Sequence, residues 1–484
     1  MRAVVRRRPS RLSHLKSSSV PRRALKYLPA VLAFAVACDS PTGPSRDFDI
    51  TRYPYVVSVN GVRQFGTSRV LVIPASFSDG APAPLTASEL RAQLFGGTGG
   101  GPVNQAFALA SGSQFTLKGQ VTPWVQTTIP SAMNVPAVYT QNAQEDYVFE
   151  ALRGVEDDVD FGLFDNDGLD GLPNSGDDDG VVDGGIAVLN SDLNRYCNGG
   201  TGKGPHPFAR STWRPNGQRY KTGDAAARGG VIEVGAYTLL SAVGCGGRTV
   251  GAHVLAHELG HLFFGLPDIY HQLGGTGEVW ATRRWVAGCW ELMAAGAWGC
   301  GTGAPTLDYK FNTFGAWPRS VLGWVVPELV DPTKDMTYEL HPMGRGGDVL
   351  RVPIKTDDEY LLIEYREAAP GDGKLPTNGV LIFHVTQSLP FFPPTLQSAY
   401  RMSLIEADDD STLLKTEQQG GNRGTASDAF GLTRTSLVPG QHSRAMAVDK
   451  TPLPFRITEI TLDASAHRAR LRIGPAIVAS PARN

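Results

Sequence analysis

Residues 249–270 read TVGAHVLAHELGHLFFGLPDIY, and inside them lies His257-Glu258-Leu259-Gly260-His261. The run is apolar and helix-forming. Four residues are slightly more than one helical turn, so the two imidazoles lie one above the other on one face. Two nitrogens so placed can reach a single zinc ion, with Glu258 beside them and not itself a ligand. Zinc with three protein ligands keeps one position open for water and lowers that water's pKa towards neutrality. Glu258 can then take the water's proton and pass it to a leaving amine. The pattern implies peptide-bond hydrolysis without a covalent intermediate.

An H-E-x-x-H also arises by chance on core helices, but three neighbouring features weigh against accident. Gly265 and Pro267 stop the helix soon after the second His. Asp268 supplies a carboxylate just past that stop. Further on, Trp290-Glu291-Leu292-Met293-Ala294-Ala295-Gly296 puts a Met in a turn of small residues. The third zinc ligand must come from a segment that turns back under the helix. Gly265 can take a left-handed backbone at low cost, Pro267 stiffens the return, and Asp268 follows. Asp268 is therefore the expected third ligand, with His271 as the alternative. Glu278 or Glu291 in that role would describe a different, Glu-ligated zinc peptidase. His253, one turn ahead of His257, is expected to pack or support, because one helix cannot wrap three turns around one ion.

This combination resembles the metzincin-like immune inhibitor A family of secreted bacterial zinc metalloproteases. The resemblance rests on the H-E-x-G-H helix, the Gly-Leu-Pro-Asp exit and WELMAAGAW, from Trp290 to Trp298. Leu322-Gly323-Trp324 is a further match. The family usually has two residues between the second His and the Gly, whereas this chain has Leu262, Phe263 and Phe264. The resemblance covers about residues 66–474. It implies a Met turn at Met293 and a C-terminal β portion after the protease core.

A second landmark is acidic. Residues 157–183 hold ten Asp and neither Lys nor Arg. Short-spaced Asp and Asn with Gly between them suit calcium, whose large shell takes six to eight oxygens. EF-hand spacing is not met. Asp165, Asp167, Asp170, Asp177, Asp179 and Asp183 are the candidate calcium ligands. The alternative is a solvated acidic loop, but so many uncompensated charges would repel without a cation.

The chain has 484 residues, with 41% hydrophobic and 19% charged, as a soluble globular protein does. Residues 1–37 hold nine of the 45 Lys and Arg and none of the 47 acids, so the remainder carries a net −11. Such acidity argues against nucleic acid as a partner. Residues 1–37 read as a signal peptide, with an Arg-rich start and the short apolar core YLPAVLAFAVA. Ala35-Val36-Ala37-Cys38 resembles a bacterial lipoprotein signal, so Cys38 is a candidate for lipidation; free secretion is the alternative. Four Cys then remain, allowing three pairings in an oxidising compartment. Cys289 and Cys300 bracket the Met turn and are expected to be bonded, with Cys197 and Cys245 as the other pair.

The rest of the chain is read more coarsely. Residues 38–65 are expected to be a tether. Arg69 to Phe77 is the first buried strand, followed by a β-rich passage that includes residues 114–125. Ala143 to Val155 is expected to be a helix and residues 181–190 a strand. Residues 198–230 read as a surface loop, and residues 235–240 as an edge strand. From Pro327 the chain turns to alternating strands, with a second acidic cluster at Ser403 to Asp410 (SLIEADDD) and a closing hairpin at residues 455–473. His384 there is expected to be structural.

The fold class is therefore α+β. It comprises a metzincin-like zinc protease domain over residues 66–325, a β-rich sandwich-like domain over 326–475, and a tail over 476–484. The expected function is a secreted or surface-anchored endopeptidase, a monomer, using zinc and calcium on protein or peptide substrates. The alternative is a catalytically inactive surface binding protein that retains the fold.

Overall fold

The computed structural model describes residues 61–96, 100–134, 141–193, 203–205, 208–210, 218–244, 251–273, 279–303, 312–369, 372–391 and 399–476. Cys38, Cys197, Cys245 and Glu278 lie outside the described residues. The fold is mixed α+β.

Strand β1 (Gly66–Ser76) is the axis of the first sheet. Its residues alternate between two cores, as a pleated strand requires. Val70 and Val72 point into one cluster, and Leu71, Ile73 and Ala75 into another. Helices α1 (Ala87–Phe95) and α2 (Pro102–Ala110) cover the first face. Strands β2 (Phe115–Val121) and β3 (Val125–Gln126) both pair with β1 in parallel. Helix α3 (Gln141–Arg153) covers the second face through Tyr147, Val148, Ala151 and Leu152. Strands β4 (Ile186–Asn190) and β5 (Phe208–Arg210) follow, then a hairpin of β6 (Tyr220–Ala225) and β7 (Val231–Val234). Strand β8 (Tyr237–Ser241) leads into the metal-type helix α4 (Ala252–Phe264). The sheet order is β2-β1-β4-β8-β5, with β3 extending along β1.

Four expectations need correction here. The passage after β1 opens with two helices, not strands. Thr86 caps α1 in a reciprocal box with Glu89, whose carboxylate accepts from the Thr86 N–H at 2.7 Å. Pro102 starts α2, where its missing N–H costs nothing. The stretch read as a surface loop contains β5 and β6. The stretch read as an edge strand becomes β8, fully buried between β4 and β5, because both its faces are covered. The end of the expected tether is also packed: Val62 joins the core, and Trp324 Nε1 donates to the Gln64 carbonyl at 2.7 Å.

Past α4 come β9 (His271–Gln272), β10 (Arg283–Arg284), a turn through Leu292–Gly296, and α5 (Ala316–Val321). Strands β11 (Glu328–Leu329), β12 (Met336–Leu340), β13 (Val349–Thr356), β14 (Glu359–Arg366), β15 (Gly379–Thr386), β16 (Met402–Leu404), β17 (Phe455–Asp463) and β18 (Arg468–Pro475) complete the chain. They form a five-stranded sheet, β11-β13-β14-β15-β16, and a three-stranded one, β12-β18-β17. Strand β14 is buried along its whole length. Tyr360 and Leu362 face the α4 core, while Leu361, Ile363 and Tyr365 face the three-stranded sheet. The five-stranded sheet is thus a middle layer, and one apolar core runs across the position of residue 325. Among the described residues, no helix is long and apolar enough to cross a membrane.

Candidate metal centre and active site

Helix α4 is buried on nearly every side, which fits its apolar composition. Gly265 ends it with φ 60°, and its N–H reaches the Gly260 and His261 carbonyls. Leu262, Phe263 and Phe264 all lie within the helix, so the additional residue is helical. The exit still brings Asp268 back under the His pair. Its Oδ1 stands 3.1 Å from His257 Nε2 and 3.2 Å from His261 Nε2. The two Nε2 atoms are 3.2 Å apart, with the rings edge to face.

The far nitrogens set the tautomers. His257 Nδ1 lies 2.9 Å from the Leu292 carbonyl, and His261 Nδ1 lies 2.5 Å from the Leu266 carbonyl. A carbonyl can only accept, so each Nδ1 carries the proton and donates. With both rings neutral, the Nε2 atoms present bare lone pairs to each other and to a carboxylate oxygen. Three acceptors without a proton among them need a cation, and this donor set fits zinc. With no cation between them, a proton on His261 takes the cation's place. Burial lowers the His261 pKa, but Asp268 beside it more than reverses this and holds it up at about 9. Burial works to raise Asp268, yet His261 and His257 keep it well below the usual carboxylate range.

Glu258 is 5% exposed, and burial raises its pKa, opposed by His257 and His261. A buried carboxylate with raised basicity suits proton transfer. Tyr270 stacks on His257 with ring centroids 6.4 Å apart. Arg283 lies over the Tyr270 ring at 4.1 Å and donates through Nε to Gln272 Oε1 at 2.6 Å. Sequence reading passed over Tyr270 and Arg283, because no spacing motif marks them.

The Met turn lies against α4. A Cβ on Gly260 would meet Met293 Sδ at 2.7 Å, so only glycine lets the two approach this closely. Ala294 leaves the helical region, with φ −107° and ψ −114°, which reverses the chain. Met293 O accepts from Ile269 N at 2.7 Å, tying the turn to the segment that carries Asp268. Glu291 is no ligand: its carboxylate accepts from Met293 N at 3.1 Å and Gly315 N at 2.7 Å. His271 is turned elsewhere, its Nδ1 3.2 Å from the Tyr400 hydroxyl. A disulfide joins Cys289 and Cys300, with Cα atoms 5.2 Å apart. His253 is a buried residue of α4, and His384 Nε2 pairs with Glu359 Oε1 at 2.8 Å.

In the acidic loop the structure separates the six candidates. Asp165, Asp167 and Asp183 offer ligand atoms within 4.8 Å of one another. Asp170, Asp177 and Asp179 are not in this group and cap backbone N–H groups of Leu172, Leu169 and Val181. Asp165 Oδ1, Asp183 Oδ1 and the unforeseen Asn166 Oδ1 are buried and accept no hydrogen bond. Burial, helped by neighbouring aspartates, pushes the Asp165 pKa up to about 7; burial also pushes Asp183 up to about 9.

Two bare imidazole nitrogens and a proton-handling carboxylate on one helix, closed beneath by a Met turn, have the layout of a peptidase. Residues 91–324 match the family described as immune inhibitor A peptidase M6, catalytic domain. This part of the chain is similar to that family's peptidase domain. No curated protein matches the chain.

Proposed function

We propose that the chain is a zinc-dependent endopeptidase that hydrolyses peptide bonds in protein substrates outside the cytoplasm. The observation that carries this reading is the meeting of His257 Nε2, His261 Nε2 and Asp268 Oδ1, each 3.1–3.2 Å from the other two. Those three side chains would hold the ion, in a metzincin-like arrangement with Met293 beneath. When bound, zinc supplies a Lewis acid that polarises a carbonyl and acidifies water. Glu258 accepts the proton of the attacking water and returns it to the leaving amine. The Leu292 and Leu266 carbonyls keep both rings in the ligating tautomer.

Three finer assignments accompany this reading. Calcium at Asp165, Asp167 and Asp183 would answer the unpartnered oxygens there. Residues 66–325 would act as the catalytic region and residues 326–475 as its β-rich support. Residues 1–37 would direct export, with Cys38 as a lipid anchor.

Casein hydrolysis with and without a chelator tests the proposal. Chelation should abolish cleavage and zinc should restore it. Glu258→Ala should lose nearly all hydrolysis, a drop of about 100-fold or more, while keeping its zinc. Equal activity in that variant would sink the mechanism. A zinc-loaded wild type without activity on any protein substrate would favour an inactive binding protein instead.

A further inference from the structure

A second group of buried acids lies in the β-rich region. Glu406, Asp408 and Asp428 offer ligand atoms within 4.8 Å of one another. Glu406 is 2% exposed and Asp428 fully buried. Glu406 Oε1 accepts from Thr412 Oγ1 at 2.8 Å and Leu413 N at 2.9 Å. Its Oε2 is buried and accepts nothing. Asp428 is held in place by Thr425 N at 2.8 Å and Trp290 Nε1 at 3.3 Å.

Nearby groups do not answer that oxygen. Arg444 is electrostatically coupled to Glu406, but its Nη2 donates to Ser403 Oγ and its Nη1 has no partner. His442 spends Nε2 on the Glu406 carbonyl, 2.9 Å away. Neighbouring acids in a dry pocket repel one another unless a proton or a cation stands between them.

We propose that Glu406, Asp408 and Asp428 hold a structural calcium ion that fixes residues 404–428 against the Met turn. The donors are oxygens alone, which selects a hard cation over zinc. They come from the turn after β16 and the end of a one-turn helix at Ala426–Asp428, short segments that suit calcium's flexible shell better than magnesium's strict octahedron. The loop they stabilise is joined to the active-site side at several points. Cys289 N donates to the Arg423 carbonyl at 2.6 Å, Val286 N to Leu413 O at 3.0 Å, and Gly301 N to Gly424 O at 2.9 Å. A cation here would hold the segment that Cys289 and Trp290 lean on, without touching substrate.

The test uses the full chain, stripped with EGTA and restored with zinc. Bound calcium is measured by equilibrium dialysis for wild type, Asp408→Asn and Glu406→Gln. Asp408 is only partly buried, so its near-isosteric variant should fold. Each variant should bind one calcium fewer per chain than wild type. Terbium offers a second readout, because Trp290 beside Asp428 should sensitise its emission. That emission should fall in Asp408→Asn and be competed away by calcium. Unchanged calcium content in both variants would overturn the proposal, as would terbium emission that Asp408→Asn leaves intact.

Discussion

Asp268 Oδ1 lies against two imidazole nitrogens at once, 3.1 and 3.2 Å away. No other acid among the described residues shares that group. Its replacement should therefore remove a ligand, whereas His271 is occupied with Tyr400. Zinc content after dialysis should fall sharply in Asp268→Ala, by more than the roughly 10–100-fold in affinity that outer-shell losses cost. It should stay near stoichiometric in His271→Ala; the reverse pattern would move the third ligand to His271. The meeting of His257, His261 and Asp268 was legible in the sequence because helix period and a Gly-Pro exit place them locally. The Leu292 and Leu266 carbonyls were not legible, since any residue supplies a carbonyl and only the fold aims it. Asp170, Asp177 and Asp179 could not be told from Asp165, Asp167 and Asp183 by composition. What separates them is burial and convergence: Asp170, Asp177 and Asp179 are exposed, while Asp165, Asp167 and Asp183 turn inward to one point.

At the scale of elements, the acidic loop between α3 and β4 has its own consequence. Buried Asp165 and Asp183 leave oxygens without partners, so the loop gains most from a bound cation. A ligand present at 100 times its Kd stabilises the folded state by about 2.7 kcal/mol. The melting temperature should rise by roughly 5 °C with calcium relative to EGTA at fixed zinc. Asp183→Asn should remove the loop's share of that shift, and an identical shift in the variant would exclude the loop as a source. Strands β1 and β14 were legible as near-continuous apolar runs, because layers cover both their faces. Helices α1 and α2 were not foreseen. Each has only nine residues, and α1 buries just Leu90 and Leu94, too few for a clear helical period. The Thr86-Glu89 box was the available signal for α1.

Across the whole molecule, the catalytic helix and the β-rich region share one core. Leu362, Phe383 and Leu404 belong to the same cluster as Leu259, Met293 and Phe314. Alternation along the later strands revealed their existence, but not that one face would pack on the protease side. That pairing depends on residues far apart in sequence. Arg366 at the end of β14 makes the connection polar as well as apolar. Its Nη1 donates to the Trp290 carbonyl at 2.9 Å, and its Nε to Asp372 Oδ2 at 2.8 Å. Glu364 beside it accepts from Arg319 Nη1 at 3.1 Å. All of these groups are buried, so removing one partner strands the others' charge. Arg366→Met should cost about 3–5 kcal/mol, read as a lower melting temperature, and should loosen the turn beneath the metal. The same continuity predicts the fate of a chain ending at Val325. It would expose the apolar surface that β14 to β16 cover and free the Trp290 carbonyl. Such a fragment should show no cooperative melting and retain no zinc after dialysis, while the full chain does both. A fragment that melts cooperatively and cleaves casein would show instead that the catalytic region folds alone.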